Sequence, residues 1–203
     1  MRDERETKSR LLASAKREFM EKGYMQASLR SICKDAGLTT GALYFFFQDK
    51  EDLFASLVEE PLMKLYTIMT EHYGEELQET EHGITDKVDF TEDLAAARQI
   101  IHYLYQYQEE FQLILTKSQG SRFEQYLDQF VEATERQYRI LADRTAKQAG
   151  TEKIDDYMLH WISHMHIDLF IHMLTHEESE EMAQKHIEQI IRYLICGWQS
   201  MFR

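Results

Sequence analysis

A single proline, Pro61, interrupts 203 residues that hold only eight glycines. Proline and glycine are the residues that most readily end helices and make tight turns. A chain this poor in both has few places to turn, and its helices run long. Apolar residues recur at helical spacing, as in Leu11, Leu12, Ala15 and Phe19, and again in Ile187, Ile190, Ile191, Leu194, Ile195, Trp198 and Met201. That spacing puts them on one helix face. The chain is therefore read as all-α: a three-helix head carrying a helix-turn-helix, followed by a larger helical body, with about nine helices in all. No run of about 18 apolar residues exists, so no membrane span is expected. The charged start, Met1-Arg2-Asp3-Glu4-Arg5, lacks the apolar stretch of a secretory signal. Cys33 and Cys196 lie far apart among apolar residues and are read as buried reduced thiols, which implies a cytoplasmic protein.

The head is legible residue by residue. A first helix spans about Arg5 to Lys22, ends at Gly23, and is followed by Tyr24, which can fold back on it. Ser28 is a preferred N-cap for a short second helix whose buried stripe is Leu29, Ile32, Cys33 and Ala36. Gly37 suits a left-handed turn and Leu38 plugs the angle between helices. Thr39 caps a third helix from Thr40 to about Phe47. Asp49 caps a fourth, with Asp52 three residues on. Two short helices joined by a glycine turn, flanked by a supporting helix and a capped one, form a helix-turn-helix pattern.

These segments resemble the DNA-binding domain of the TetR/AcrR family of regulators. The resemblance covers residues 7–54 and lies in Leu12-Ala13-Ser14-Ala15, Phe19-Met20-Glu21-Lys22-Gly23-Tyr24, Ser28-Leu29-Arg30-Ser31-Ile32, Lys34-Asp35-Ala36-Gly37-Leu38, Thr39-Thr40-Gly41-Ala42-Leu43-Tyr44-Phe45-Phe46-Phe47 and Lys50-Glu51-Asp52-Leu53-Phe54. It departs from the family at Phe45 and Phe46, where members often carry His or Tyr. In the rest of the chain it rests on helix pattern and on the Gly197-Trp198 ending. The resemblance implies a DNA-binding domain at residues 1–48 and a ligand-binding, dimerising domain at residues 49–203. It also implies a homodimeric transcription regulator, by default a repressor released by a small molecule.

Net charge appears to oppose DNA binding, at −13 over the whole chain. Its distribution does not: residues 1–50 hold ten Lys and Arg against seven acids, net +3, and the remainder carries −16. Phosphate contacts are local, and charges further apart than about 8 Å are screened at physiological salt. The expected DNA face is Ser28, Thr39, Thr40, Gly41, Tyr44, Phe45 and Lys50. Small residues let the start of a recognition helix approach the bases, and the Phe45 ring suits a thymine methyl. Ser28, Tyr44 and Lys50 suit phosphates. Leu43 and Phe47 belong to the core. The partner is a near-palindromic operator duplex.

In the body, Met and aromatic side chains suit an adaptable apolar pocket. Tyr103, Tyr107, Phe123, Tyr126 and Trp161 are the candidate lining, for an apolar or aromatic effector. Asp168 is a candidate for receiving a cationic one, or for pairing with His164. The expected dimer interface is built from the last two helices, through Met158, Ile162, Met173, Ile191, Leu194 and Trp198, because their apolar stripes are wider than one intramolecular contact needs. His160, His164, Asp168, His172 and His176 stand four apart. That row supports the rival reading, a helical enzyme or metal-binding protein, but it drifts about 40° per step, so only neighbours could share a metal. No metal, cofactor or catalytic residue is assigned, and no phosphate-loop, nucleophile-elbow or zincin motif is present.

Pro61 is expected to kink or restart the fourth helix, and Glu75–Phe90 to form a polar loop. Later helices are expected at about Thr91–Gln108, Glu109–Lys117, Ser121–Gln148, Lys153–Thr175 and Ser179–Phe202.

Overall fold

The computed structural model describes residues 2–79 and 90–203. They form nine helices and no strand: α1 (Arg2–Gln26), α2 (Leu29–Asp35), α3 (Thr40–Phe46), α4 (Lys50–Glu79), α5 (Thr91–Gln106), α6 (Gln108–Lys117), α7 (Tyr126–Ala149), α8 (Asp156–His176) and α9 (Glu180–Ser200). The fold is all-helical, and no described helix is long and apolar enough to cross a membrane.

The described chain divides into two compact units. The first comprises residues up to Lys64 together with Tyr107–Leu127. Its core is built from Leu11, Ala15 and Phe19 of α1, Ile32 of α2, Leu43 of α3, Leu53, Phe54 and Val58 of α4, and Leu113 of α6, with Phe47 and Phe123 from the intervening turns. Phe54 meets Phe19 edge-on at 5.0 Å and Phe123 at 5.8 Å, so the segment after α6 shares the core of the N-terminal helices. Offset and edge contacts of this kind add to simple burial.

Local chemistry explains the helix ends. Gly23 interrupts α1 with φ 73° and ψ 165°, and the Tyr24 ring folds back to stack on Phe19 at 6.1 Å. Gly37 takes φ 66°, and a Cβ there would stand 2.9 Å from the Arg10 guanidinium, which itself donates to the carbonyl of Ala36. The left-handed backbone is what favours glycine at that turn, and a Cβ there would also make the Arg10 guanidinium shift. Ser28 and Thr39 cap α2 and α3 through the amides of Ser31 and Ala42. Asp49 accepts from the Asp52 amide at 2.8 Å, while Asp52 accepts from Gln48 at 2.9 Å, a reciprocal box at the start of α4.

Three expectations are corrected. Of the kink or restart expected at Pro61, the restart does not occur, because α4 runs unbroken through it. Proline removes only its own N–H from the ladder, and the flanking turns keep theirs. Glu75–Glu79 are helical rather than loop, and residues 80–89 of that expected loop lie outside the described residues. α7 begins at Tyr126, not Ser121. Gly120 at φ 82° and the Ser121 hydroxyl, which accepts from the Phe123 amide at 3.1 Å, hold residues 118–125 in turns.

The second unit comprises Leu65–Gln106 and Asp128–Arg203. α5, α8 and α9 bury Ala97, Ile101, Met173, Ala183, Ile187 and Ile191 together. α7, α8 and the C-terminal turn bury Ala142, Ala146, Leu159 and Phe202. α4 is tied to α7 by Tyr73, whose hydroxyl meets that of Thr134 at 2.8 Å, and by Gln137, which donates to the Tyr73 carbonyl at 2.7 Å. Cys33 is buried, but Cys196 is exposed, against expectation. Ile187, Ile191 and Leu194 turn inward on α9, which leaves position 196 on the outer side.

Candidate nucleic-acid interface

Exposure separates the third helix into two faces. Leu43 and Phe47 are buried, while Thr39, Thr40, Gly41, Tyr44 and Phe45 are exposed. Tyr44 is 58% exposed and Phe45 72% exposed, large values for aromatic side chains with apolar rings. Phe45 rests only its edge geometry on Phe46, at 5.0 Å and 90°. Nothing within the described chain needs the remaining faces of these rings.

Gly41 is the informative member of the group. Its φ is not positive, and a Cβ placed on it would meet only Thr39 Oγ1, at an ordinary 3.8 Å. Glycine in a helix costs about 1 kcal/mol relative to alanine. The chain's own backbone and packing do not require it, so what the missing side chain provides is outward room.

The adjoining α2 is held rigidly from behind. Glu18 is buried on α1 and accepts from the Ser28 amide at 3.2 Å, the Ser31 hydroxyl at 2.9 Å and the Lys22 ammonium at 2.8 Å. Burial pushes its carboxyl up, but the Lys22, Ser28 and Ser31 donors outweigh this and hold it below its ordinary value. Ser14 reaches the Ile32 carbonyl and the Asp35 carboxylate, and Arg17 pairs with Asp35. The Ser14 and Arg17 bonds keep the Asp35 carboxyl below the usual range. Ser28 therefore has an exposed, fixed position at the start of α2. On the same helix Arg30 and Lys34 are exposed, with no side-chain partner among the described residues. Sequence reading did not single out Glu18, Arg30 or Lys34. Arg30, two residues past the cap, was the accessible clue.

Lys50 stands apart from the other six expected DNA residues. Its ammonium donates to the carbonyls of Tyr24, Met25 and Ala27 at 2.8, 3.2 and 3.4 Å and lies 4.6 Å from the centre of the Tyr24 ring. It caps the end of α1.

The expected effector residues are divided between the two units. Tyr107, Phe123 and Tyr126 belong to the first unit, and Phe123 is in its core. Tyr103, Trp161 and Asp168 belong to the second, where Trp161 and Asp168 are exposed and Asp168 makes no bond with His164. A cavity of about 530 Å³ opens between α4 and α5, lined by Glu71, His72, Glu75 and Glu92 over Ile68 and Ala95, and none of those six residues is in its described lining. Of the expected interface residues, Ile162, Met173 and Ile191 are buried within the unit, Leu194 and Trp198 are half-buried against its clusters, and Met158 is exposed. Tyr157, Trp161 and Tyr193 point outward. His160 and His164 stack edge-on at 4.6 Å and His172 and His176 face to face at 4.1 Å, but no group of three described metal-ligating residues could hold an ion.

Residues 11–57 match the family described as bacterial regulatory proteins, tetR family. The chain thus carries a tetR-type N-terminal head, running from α1 into the start of α4. Its head is similar to two curated members. It is 43% identical over 53 residues to the HTH-type transcriptional repressor BepR of Brucella suis, covering 26% of this chain and 25% of that protein. It is 44% identical over 54 residues to the HTH-type transcriptional regulator AcrR of Shigella flexneri, covering 27% and 25%. The chain thus spans about a quarter of the length of these curated relatives. A transcriptional regulator from Aquifex aeolicus VF5 shares the fold over 93% of this chain and 99% of its own, with a TM-score of 0.61 at 20% identity. Sequence likeness therefore lies in the TetR-type head, while the helical body is shared as fold.

Proposed function

We propose that this chain is a ligand-responsive, DNA-binding transcription regulator of the TetR family that acts as a homodimer without enzymatic activity, most simply as a repressor released from its operator by a small molecule. The observation that carries the DNA-binding part is the outward face of α3: exposed Thr39, Thr40, Tyr44 and Phe45 around a Gly41 that the chain's own packing does not require. A major groove takes an α-helix whose first turn comes close to the base edges, and an apolar ring there reads thymine methyls. Ser28 at the N-cap of α2, with Arg30 and Lys34 on the helix, supply phosphate contacts, which set register without reading sequence. A two-fold dimer would place two such helices about 34–36 Å apart, on a near-palindromic site.

The names of relatives that are repressors support the direction of regulation. Support for the dimer comes from Tyr157, Trp161 and Tyr193, large rings held outward on α8 and α9. The effector reading keeps the apolar or aromatic class for a site in the helical body. The test of the whole is a gel-shift with the duplex upstream of the protein's own gene, at fixed salt, against an equal length of unrelated DNA. Preference for the upstream duplex of at least about 10³-fold is expected, and equal affinity for both would overturn the reading.

A further inference from the structure

The turn between α6 and α7 is distant in sequence from the N-terminal helices but built into their unit. Gly120 takes φ 82° and lies against the last turn of α1 so closely that a Cβ would stand 2.6 Å from Met25 Cγ. Two residues on, the Arg122 amide donates to Glu51 Oε1 at 3.1 Å. The other oxygen of the same carboxylate, Glu51 Oε2, accepts from the Tyr24 hydroxyl at 2.8 Å. Glu51 thus joins the 118–123 turn to the last turn of α1, which leads directly into Ser28 and α2.

We propose that Glu51 is a positioning residue for DNA binding: by clamping Tyr24 and the Arg122 amide it sets where α2 begins, without touching DNA itself. This rests on the reading of α2 and α3 as the DNA face. Two donors converge on one side chain, and only a carboxylate accepts from both without presenting a donor of its own. Glutamine would turn an NH2 group toward one of them. Aspartate would keep the negative charge in the first turn of α4, which favours the helix whatever else it does, but is one methylene too short to span both partners. Burial and the adjacent Glu51 and Asp49 charges raise the Tyr24 hydroxyl well above its ordinary value, so it stays a donor at any working pH. The neighbouring Lys50 holds the carbonyls of Tyr24, Met25 and Ala27, so two successive residues at the start of α4 grip the same segment.

The test uses the full chain with Glu51→Asp, Tyr24→Phe and the double variant, read by DNA affinity and by amide hydrogen exchange of the DNA-free protein. Each single variant is expected to bind the upstream duplex about tenfold more weakly, as expected for one lost charge-assisted bond. The double variant should bind no worse than the weaker single, because both break one clamp. Exchange at residues 24–28 and 120–124 should rise together in each. Glu51→Asp with wild-type affinity and unchanged exchange overturns the proposal, as does full additivity of the two losses. A wild-type chain that shows no preference for its upstream duplex sinks the DNA-binding reading instead, and the exchange result then still decides whether the clamp exists.

Discussion

The ammonium of Lys50 lies 2.8 Å from the carbonyl oxygen of Tyr24 and 4.6 Å from the centre of the same residue's ring, so one side chain closes the end of α1 by a hydrogen bond and a cation–π contact together. Helix ends leave carbonyls without partners, and a cation satisfies them and the dipole at once. Lys50→Ala is expected to lower stability by about 1–2 kcal/mol and to weaken binding to all duplexes equally. The log–log salt dependence of DNA affinity should stay at the wild-type slope, since no phosphate contact is lost. A slope shallower by about one unit would instead make Lys50 a phosphate ligand.

Gly41 offers a cleaner test of the DNA face. Gly41→Val adds a side chain where the chain has open room, 3.8 Å from the nearest atom, so the thermal midpoint should change little. DNA binding should fall by a hundredfold or more, on the order of 3 kcal/mol, because the backbone can no longer approach the groove. Phe45→Ala should leave the fold intact and lower the preference for the operator over a variant lacking one thymine methyl by about 1 kcal/mol. Retention of full affinity by Gly41→Val would place the contact surface elsewhere.

The dimer proposal has a counterpart on α9. Gly197 is exposed, with nothing within 4 Å of a would-be Cβ, and Tyr193 beside it is 74% exposed. Tyr193→Glu touches no buried cluster of the protomer. It should convert a dimer to monomers in light scattering while leaving the circular dichroism unchanged. A dimeric Tyr193→Glu protein would put the interface on another face.

Acid sensitivity should arise at His166. It is partly buried, its Nδ1 bonds the Ile162 carbonyl at 2.9 Å, and its ring meets Tyr138 edge-on at 5.1 Å. Burial pushes the imidazole below its ordinary value, opposed in part by the Ile162 bond. The unfolded chain, with an imidazole near 6.5, therefore takes up a proton before the folded one does. Stability from this residue is complete above about pH 6.5 and is lost as pH falls from there toward the folded value. Urea midpoints at pH 7.5 and 5.5 should differ more for the wild type than for His166→Leu. An equal difference in both proteins would assign the loss to other groups.

Pro61 tests the cost of an unbroken helix. Pro61 is buried inside α4. Pro61→Ala restores one ladder bond and removes the ring clash, worth about 3 kcal/mol in an exposed helix, but gives up buried ring surface. A net gain of about 1 kcal/mol in stability is expected by thermal melting, and a loss would show that the ring's packing outweighs the missing bond.

Much of the head could be read from sequence because its determinants are local. Ser28, Thr39 and Asp49 cap helices through amides three residues away, and Gly37 is demanded by a left-handed backbone with Arg10 behind it. Spacing alone also told that Leu43 faces inward and Phe45 outward, since the two cannot share a face of one short helix. The TetR-type pattern is a run of such local choices, and it survives without knowledge of anything further along the chain.

What tertiary structure decided is what depends on partners far away in sequence. Lys50 faces the end of α1 rather than solvent because three carbonyls converge there from residues 24–27, a pairing no spacing rule encodes. Phe123, marked as pocket lining by its chemistry, is core because Phe54 and Tyr126 pack on it. Ile162, Met173 and Ile191 were assigned to a subunit interface by the width of their stripes, yet the chain's own helices bury them first. Hydrophobic burial is non-directional and states only that a face must be covered. Which surface covers it is settled by the global packing, and so the identity of the helices was written locally while the fate of their faces was not.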